Sequence, residues 1–305
     1  LLSFTRMKKT ALAGIVLAVF AYAIGYKSRD FVRDKIYLPF RSSISQKLTK
    51  ASYKQILCPK DGITLATFGQ SNSANYVEPL AKVKIPRNLL QYDWRTEKCY
   101  EYKEPLLGTD GSGGNILTYT AVQIAENSSK PVVVIPFGVG GTSVLEWAYG
   151  WLSYQQELAL SSIKNSGLSP KIFLWHQGES DARVDGSNPD DLKKVQNQKS
   201  ESRQLGLSKK SYADALQKVV DKTKQYFPDS YFGIALVSRC SNRNQWEPIR
   251  EGQREIANKN KNTFVSADSD KIYTEKTRYD KCHFSKEGAQ ELGNEYYSSV
   301  STLLK

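Results

Sequence analysis

An α/β fold built on a doubly wound parallel sheet is predicted by three observations. Short apolar runs alternate with amphipathic stretches from residue 63 onward. Those runs are continuously apolar, as strands are when helices cover both faces of a sheet. Each is followed at once by polar or glycine-rich residues, which such folds collect at the carboxyl edge of the sheet, where ligands bind.

The elements follow in order. Met7 is the only methionine. With translation starting there, Lys8 and Lys9 form a basic head before an apolar stretch that reaches Tyr26. Ala21-Tyr22-Ala23 has the small-residue pattern of a cleavage site. A helix over residues 10–26 would run about 25 Å, slightly short of a bilayer core. Residues 1–26 therefore read as a signal peptide or a short membrane anchor, an N-terminal apolar helix ahead of the main domain. Residues 27–60 are basic and read as a juxtamembrane stalk against anionic lipid. Nearly all of the net charge of +12 lies in residues 1–60, so the body is close to neutral and nucleic acid is not an expected partner. The expected location is the cell envelope or the exterior. Positive charge beyond the apolar stretch would also suit a cytoplasm-facing orientation, so topology stays open.

Strands are expected at 63–68, 132–137, 172–175 and 232–237, and helices at 116–126, 152–164, 212–226, 249–259 and 287–304. Residues 183–210 are polar and aperiodic, long for a loop in a compact domain, and read as an insertion at the rim that could form a substrate flap. Four cysteines, Cys58, Cys99, Cys240 and Cys282, lack metal-type spacing. Export favours two disulfides, Cys58–Cys99 and Cys240–Cys282, over four reduced thiols.

Only two histidines exist, His176 and His283, so any imidazole base is one of them. His283 has Asp280 three residues upstream, a spacing that lets the carboxylate orient Nδ1 and leave Nε2 free. Ser71 directly follows the first long strand in Gly69-Gln70-Ser71-Asn72, where a hydroxyl can attack a carbonyl and the amide can bind the resulting oxyanion. Taken alone, this segment reads first as a Ser or Asn helix cap. Gly113 or Gly114 could present a backbone N–H, and Gln177 a side-chain amide. Gly138-Val139-Gly140-Gly141 lacks the lysine of a phosphate loop.

Four segments together resemble the conserved blocks of SGNH hydrolases, nearest to the sialate O-acetylesterase and acetylxylan-esterase-like branch. They are Gly69-Gln70-Ser71-Asn72, Gly140-Gly141-Thr142-Ser143 with Glu146-Trp147, Trp175-His176-Gln177-Gly178-Glu179-Ser180-Asp181, and Asp280-x-x-His283, in the family's order across residues 62–300. The resemblance implies a flavodoxin-like, three-layer α/β/α domain over residues 61–305 and a carbohydrate O-acetylesterase that needs no cofactor or metal. It assigns Ser71 as nucleophile, His283 as base and Asp280 as its orienter. The Ser71 amide, Gly113 or Gly114, and Gln177 then form the oxyanion hole. Gln70, Asn72 and Glu179 support the nucleophile turn, with Glu179 bracing it. Thr142 and Trp147 are candidates for substrate contact, although for Trp147, Trp151 and Trp246 core or structural placement is the favoured reading. His176 is expected to be structural. Ser73 replaces the methionine common in the branch, which implies a more polar pocket floor. The same triad would also serve an envelope glycan O-acyltransferase. A catalytically inactive glycan-binding module is the third reading, opposed by the filled triad.

Overall fold

Residues 53–182, 206–241 and 244–304 are described by the computed structural model. The segment 1–26, most of the stalk 27–60 and most of the 183–210 insertion lie outside the described residues. Eight strands form one sheet: β1 (Gln55–Ile56), β2 (Ile63–Gly69), β3 (Leu89–Asp93), β4 (Lys98–Glu101), β5 (Val132–Gly138), β6 (Ile172–His176), β7 (Tyr231–Leu236) and β8 (Thr263–Asp268). Their order is β1-β4-β3-β5-β2-β6-β7-β8.

The six strands from β3 to β8 in that order are parallel, whereas β4 runs antiparallel to both β3 and β1. The sheet is thus mixed rather than wholly parallel. The antiparallel edge arises because β3 turns back through a tight bend in which Thr96 and Glu97 N–H donate to the Asp93 carbonyl at 3.1 and 2.9 Å. Glu97 supplies the positive φ the bend needs.

Among the described residues six helices cover the faces: α1 (Ile116–Glu126), α2 (Val144–Ala148), α3 (Trp151–Asn165), α4 (Lys209–Tyr226), α5 (Glu247–Lys259) and α6 (Lys286–Val300). Because successive strand residues point to opposite faces, two cores form. Ala66, Phe68, Phe137, Phe173 and Trp175 pack beneath α3, α4 and α5. Leu65, Val134, Ile172 and Leu174 pack beneath α1 and α6. Burial on both faces is why these strands read as unbroken apolar runs. The result is a three-layer α/β/α domain with β2 at its centre, between β5 and β6.

Caps fix where the helices begin. Asn115 accepts from Leu117 N–H at the start of α1, and Ser143 forms a capping box with Glu146 at α2. Ser285 accepts from Gly288 N–H at α6, two residues after His283. Such a cap is worth about 1 kcal/mol, and here it also fixes where the histidine loop ends. Two disulfides, Cys58–Cys99 and Cys240–Cys282, close loops of nearly equal length, with separations of 41 and 42 residues. Among the described residues no helix is long and apolar enough to cross a membrane.

Candidate active site

The central strand delivers Ser71 to the rim. β2 ends at Gly69, whose φ of +146° and close approach to β6 exclude a side chain: a Cβ there would lie 2.1 Å from the His176 carbonyl oxygen. Gln70 N–H then donates to that carbonyl at 3.1 Å, and the chain turns into a short 3₁₀ segment, Ser71–Ser73. The turn closes through Ser73 N–H to the Gln70 carbonyl and Ala74 N–H to the Ser71 carbonyl, both 2.9 Å. The Ser73 hydroxyl points inward and donates to the Gln70 carbonyl as well, at 2.8 Å. Ser71 itself is 5% exposed. Its hydroxyl and its N–H have no hydrogen-bond partner among the described residues.

Asn72 joins this turn to two other blocks. Its Nδ2 donates to Glu179 Oε1 at 2.7 Å and to the Cys282 carbonyl at 3.3 Å. Glu179, 1% exposed, also faces His176 Nε2 at 3.6 Å, and His176 Nδ1 lies 2.8 Å from the Tyr296 hydroxyl. Burial works against the Glu179 anion, but the contacts with His176 and Asn72 outweigh it and hold the carboxyl below its ordinary value. His176 is thereby a buried structural residue.

His283 sits on a tight loop between β8 and α6. Arg278 and Phe284 bridge its two arms, Tyr279 N–H donates to the His283 carbonyl at 3.1 Å, and Lys281 takes a φ of 64° at the apex. Asp280 holds the loop from inside. Its Oδ1 accepts from Cys282 N–H at 2.9 Å and His283 N–H at 2.6 Å, and its Oδ2 lies 2.6 Å from His283 Nδ1. Partial burial pushes the Asp280 carboxyl up, and these bonds together pull it below the ordinary carboxylate value. The imidazole is one-fifth exposed, and with Nδ1 facing Asp280 its Nε2 has no hydrogen-bond partner among the described residues. Tyr76 and Tyr279 lie nearly parallel to the ring, with centroids 5.1 and 6.1 Å away. The Asn72–Cys282 bond and the Tyr76–His283 stack bring the Ser71 turn against the histidine loop. Ser71 Oγ is not hydrogen-bonded to His283.

The expected oxyanion donors need correction. Gly113 N–H donates to the Asn75 carbonyl at 2.8 Å and Gly114 N–H to the Val77 carbonyl at 2.7 Å, so neither is available. Gln177 is fully buried, and its two amide protons go to Asp181 Oδ2 at 2.7 Å and the Thr142 carbonyl at 3.0 Å. Other donors near these segments have no partner among the described residues. They include the Ser71 N–H, the N–H of exposed Ser112, whose neighbours Gly111 and Gly113 both lock onto Asn75, and Gln70 Nε2. Sequence reasoning missed Ser112 and the free Gln70 nitrogen, because donor availability depends on bonds to distant segments.

The substrate-contact candidates also move. Trp147 is fully buried among Phe68, Phe137 and Trp175, so it is core and no sugar platform. Thr142, 4% exposed, donates through Oγ1 to the Val139 carbonyl and accepts there from Trp147 Nε1; it shapes the loop after β5. Asp181, beneath that loop, accepts from Val144 N–H at 2.8 Å, and burial pushes its carboxyl up to about 6. Arg278 carried no motif signal, since its partners are mainly backbone oxygens. It is 2% exposed and donates to the Cys282 and Ser269 carbonyls at 2.6 and 2.9 Å and to the Ile272 carbonyl at 3.1 Å. Its guanidinium carbon stands 3.4 Å from the Phe284 ring centre. The Cys240–Cys282 disulfide ties the same loop to the segment after β7. Among the described residues no cluster of three or more His, Cys, Asp or Glu could hold a metal.

A family model described as carbohydrate esterase, sialic acid-specific acetylesterase, matches residues 67–302. None of the curated proteins matches the chain. Among solved structures, one of a protein from Arabidopsis thaliana aligns with a TM-score of 0.59 at 16% identity, over 80% of this chain and all of that one. A carbohydrate acetylesterase from Xanthomonas citri aligns at 0.48 and 14% identity, over 80% of this chain and 57% of that one. One from Sinorhizobium meliloti aligns at 0.46 and 12% identity, over 79% of this chain and 99% of that one. With all four motif-bearing segments inside the matched span, the chain belongs to the sialic acid-specific acetylesterase family of carbohydrate esterases.

Proposed function

We propose that this carbohydrate esterase removes acetyl groups from a glycan by a serine mechanism, with Ser71 as nucleophile, His283 as base and Asp280 as orienter. The observation that carries the reading is the 2.6 Å Asp280–His283 pair, held against a turn whose serine hydroxyl is free. In the first half-reaction Ser71 Oγ attacks the ester carbonyl carbon while His283 Nε2 takes the hydroxyl proton. Asp280 fixes the tautomer and stabilises the imidazolium. The oxyanion forms at the mouth of the Ser71 turn, and the donors assigned to it are the Ser71 N–H and the Ser112 N–H, both without a partner among the described residues. As the intermediate collapses, His283 returns the proton to the sugar oxygen and the acetyl group stays on Ser71. Water, activated by the same nitrogen, then releases acetate.

Glu179, Asn72 and Arg278 do not touch the ester in this scheme; they hold Ser71 and His283 in register. Two disulfides suit an exported enzyme, in keeping with an envelope location through residues 10–26. The test is p-nitrophenyl acetate hydrolysis by the full chain beside Ser71→Ala and His283→Ala. Each variant is expected to lose about a thousandfold or more in kcat. A Ser71→Ala protein within about tenfold of the parent would refute the assignment. Acetylated acceptor glycan in place of free acetate would identify transfer instead of hydrolysis.

A further inference from the structure

The aromatic wall beside His283 is more elaborately built than packing alone requires. The Tyr76 ring lies 21° from coplanar with the imidazole at 5.1 Å. Its hydroxyl donates to Asp110 Oδ2 at 2.9 Å. Asp110 is itself held on every side: Oδ1 accepts from Gly111 N–H at 2.8 Å, Oδ2 from Gly140 N–H at 3.2 Å, and its own N–H donates to the Gly138 carbonyl at 3.0 Å. Two glycines admit the ring. A Cβ on Gly140 would lie 2.7 Å from the Tyr76 hydroxyl oxygen, and one on Gly111 would lie 2.9 Å from Cε2. Loops after two different strands therefore close on one side chain, and that side chain ends on His283.

The geometry points to Tyr76 as a positioning residue for His283, with Asp110 as its anchor; this rests on the reading of His283 as base. The ring limits imidazole rotation about the bond to Asp280. Its electron-rich face also meets the imidazole when that ring becomes cationic in mid-reaction. Asp110 keeps the shelf from tilting, and so couples the glycine loops to the base without touching the ester.

The experiment compares the full-length parent with Tyr76→Phe, Tyr76→Leu and Ser71→Ala in p-nitrophenyl acetate hydrolysis, together with NMR of the histidine ring protons. With two histidines in the chain, His283→Ala assigns both sets of signals. Tyr76→Leu is expected to lower kcat about tenfold with KM changed less than about twofold, the signature of a displaced catalytic group. Tyr76→Phe keeps the ring and loses the anchor, so its kcat should fall about threefold, between the parent and Tyr76→Leu, and a Tyr76→Phe equal to the parent would overturn the anchoring role of Asp110. At pH 9, where an ordinary imidazole is neutral, ring stacking holds the His283 signals upfield in the parent and in Tyr76→Phe, and Tyr76→Leu releases them.

Tyr76→Leu with undiminished kcat, or Tyr76→Phe as impaired as Tyr76→Leu, would overturn the proposal. Should Tyr76→Leu not fold, the parent spectrum decides, and His283 signals at free-imidazole positions would overturn it equally. Retained activity in Ser71→Ala would sink the serine mechanism instead, whatever Tyr76 does.

Discussion

The two disulfides form a matched pair that separates stability from catalysis. Each closes a loop of almost the same length, 41 and 42 residues. Loop-closure entropy therefore assigns each about 4 kcal/mol of stabilisation. Replacing both cysteines of either pair by alanine should lower the midpoint of thermal unfolding by roughly 10 °C, and by a similar amount in the two cases. Activity should part company. Cys58–Cys99 joins the segment between β1 and β2 to β4, away from the histidine loop. Cys282 instead has both its backbone groups in the site: its N–H donates to Asp280 Oδ1, and its carbonyl accepts from Asn72 and Arg278. At 25 °C, where both proteins remain folded, Cys58→Ala/Cys99→Ala should keep kcat within about twofold of the parent. Cys240→Ala/Cys282→Ala should lose about tenfold or more, because the loop carrying His283 is no longer tied to the end of β7. Scanning calorimetry and p-nitrophenyl acetate turnover on the same preparations give both numbers. Equal losses of activity in the two variants would refute the reasoning, as would midpoints that fall by very different amounts.

Two further outcomes follow from buried carboxylates. Asp181 has its pKa raised to about 6 by burial, so the folded state binds its proton more tightly than the unfolded chain does. Its contribution to stability therefore falls as pH rises from about 4 through 6, and the full cost at neutral pH is about 3 kcal/mol. Asp181→Asn, with its amide oxygen accepting from Val144 and Gln177, should stabilise the protein by about 1–3 kcal/mol at pH 7.5 and by little at pH 4, as urea titrations would show. Glu179→Gln should act in the opposite sense. It leaves the Arg278 guanidinium, 2% exposed, without its chief counter-charge. A stability loss of about 3 kcal/mol at pH 7 is expected from urea titration, together with a drop in kcat as Asn72 loosens.

What the sequence disclosed depended on how local the cause was. The four buried strands and five helices were legible because periodicity and length are local signals, and the Asp280–His283 pair because its partners stand three residues apart. Strand β3 was not, since Gln91 and Asp93 are fully buried polar residues in its short span. The Gln91 amide donates to the Glu101 and Lys103 carbonyls and its oxygen accepts from Leu107 N–H, partners outside the strand. Edge strand β8 has only two fully buried residues and a polar interior position, so its pattern resembles a loop. Within the site, the glycines of the 111–114 loop looked like donors because nothing in their spacing reveals that Asn75 and Val77 take their N–H groups. Gln177 and Trp147 failed as candidates for the same reason: burial is set by neighbours that the chain supplies from elsewhere.

The order in which the site's parts occur along the chain has a consequence for synthesis. The Ser71 turn follows the central strand β2, whereas His283 lies just before α6, which with α1 covers the core built on Leu65, Val134, Ile172 and Leu174. A ribosome makes the proposed nucleophile more than two hundred residues before its base. Until α6 docks, the loop that carries His283 lacks its cap at Ser285 and its bridge to Glu78. A partly made chain thus holds a serine with no base, and catalytic competence arrives together with the closing of the core.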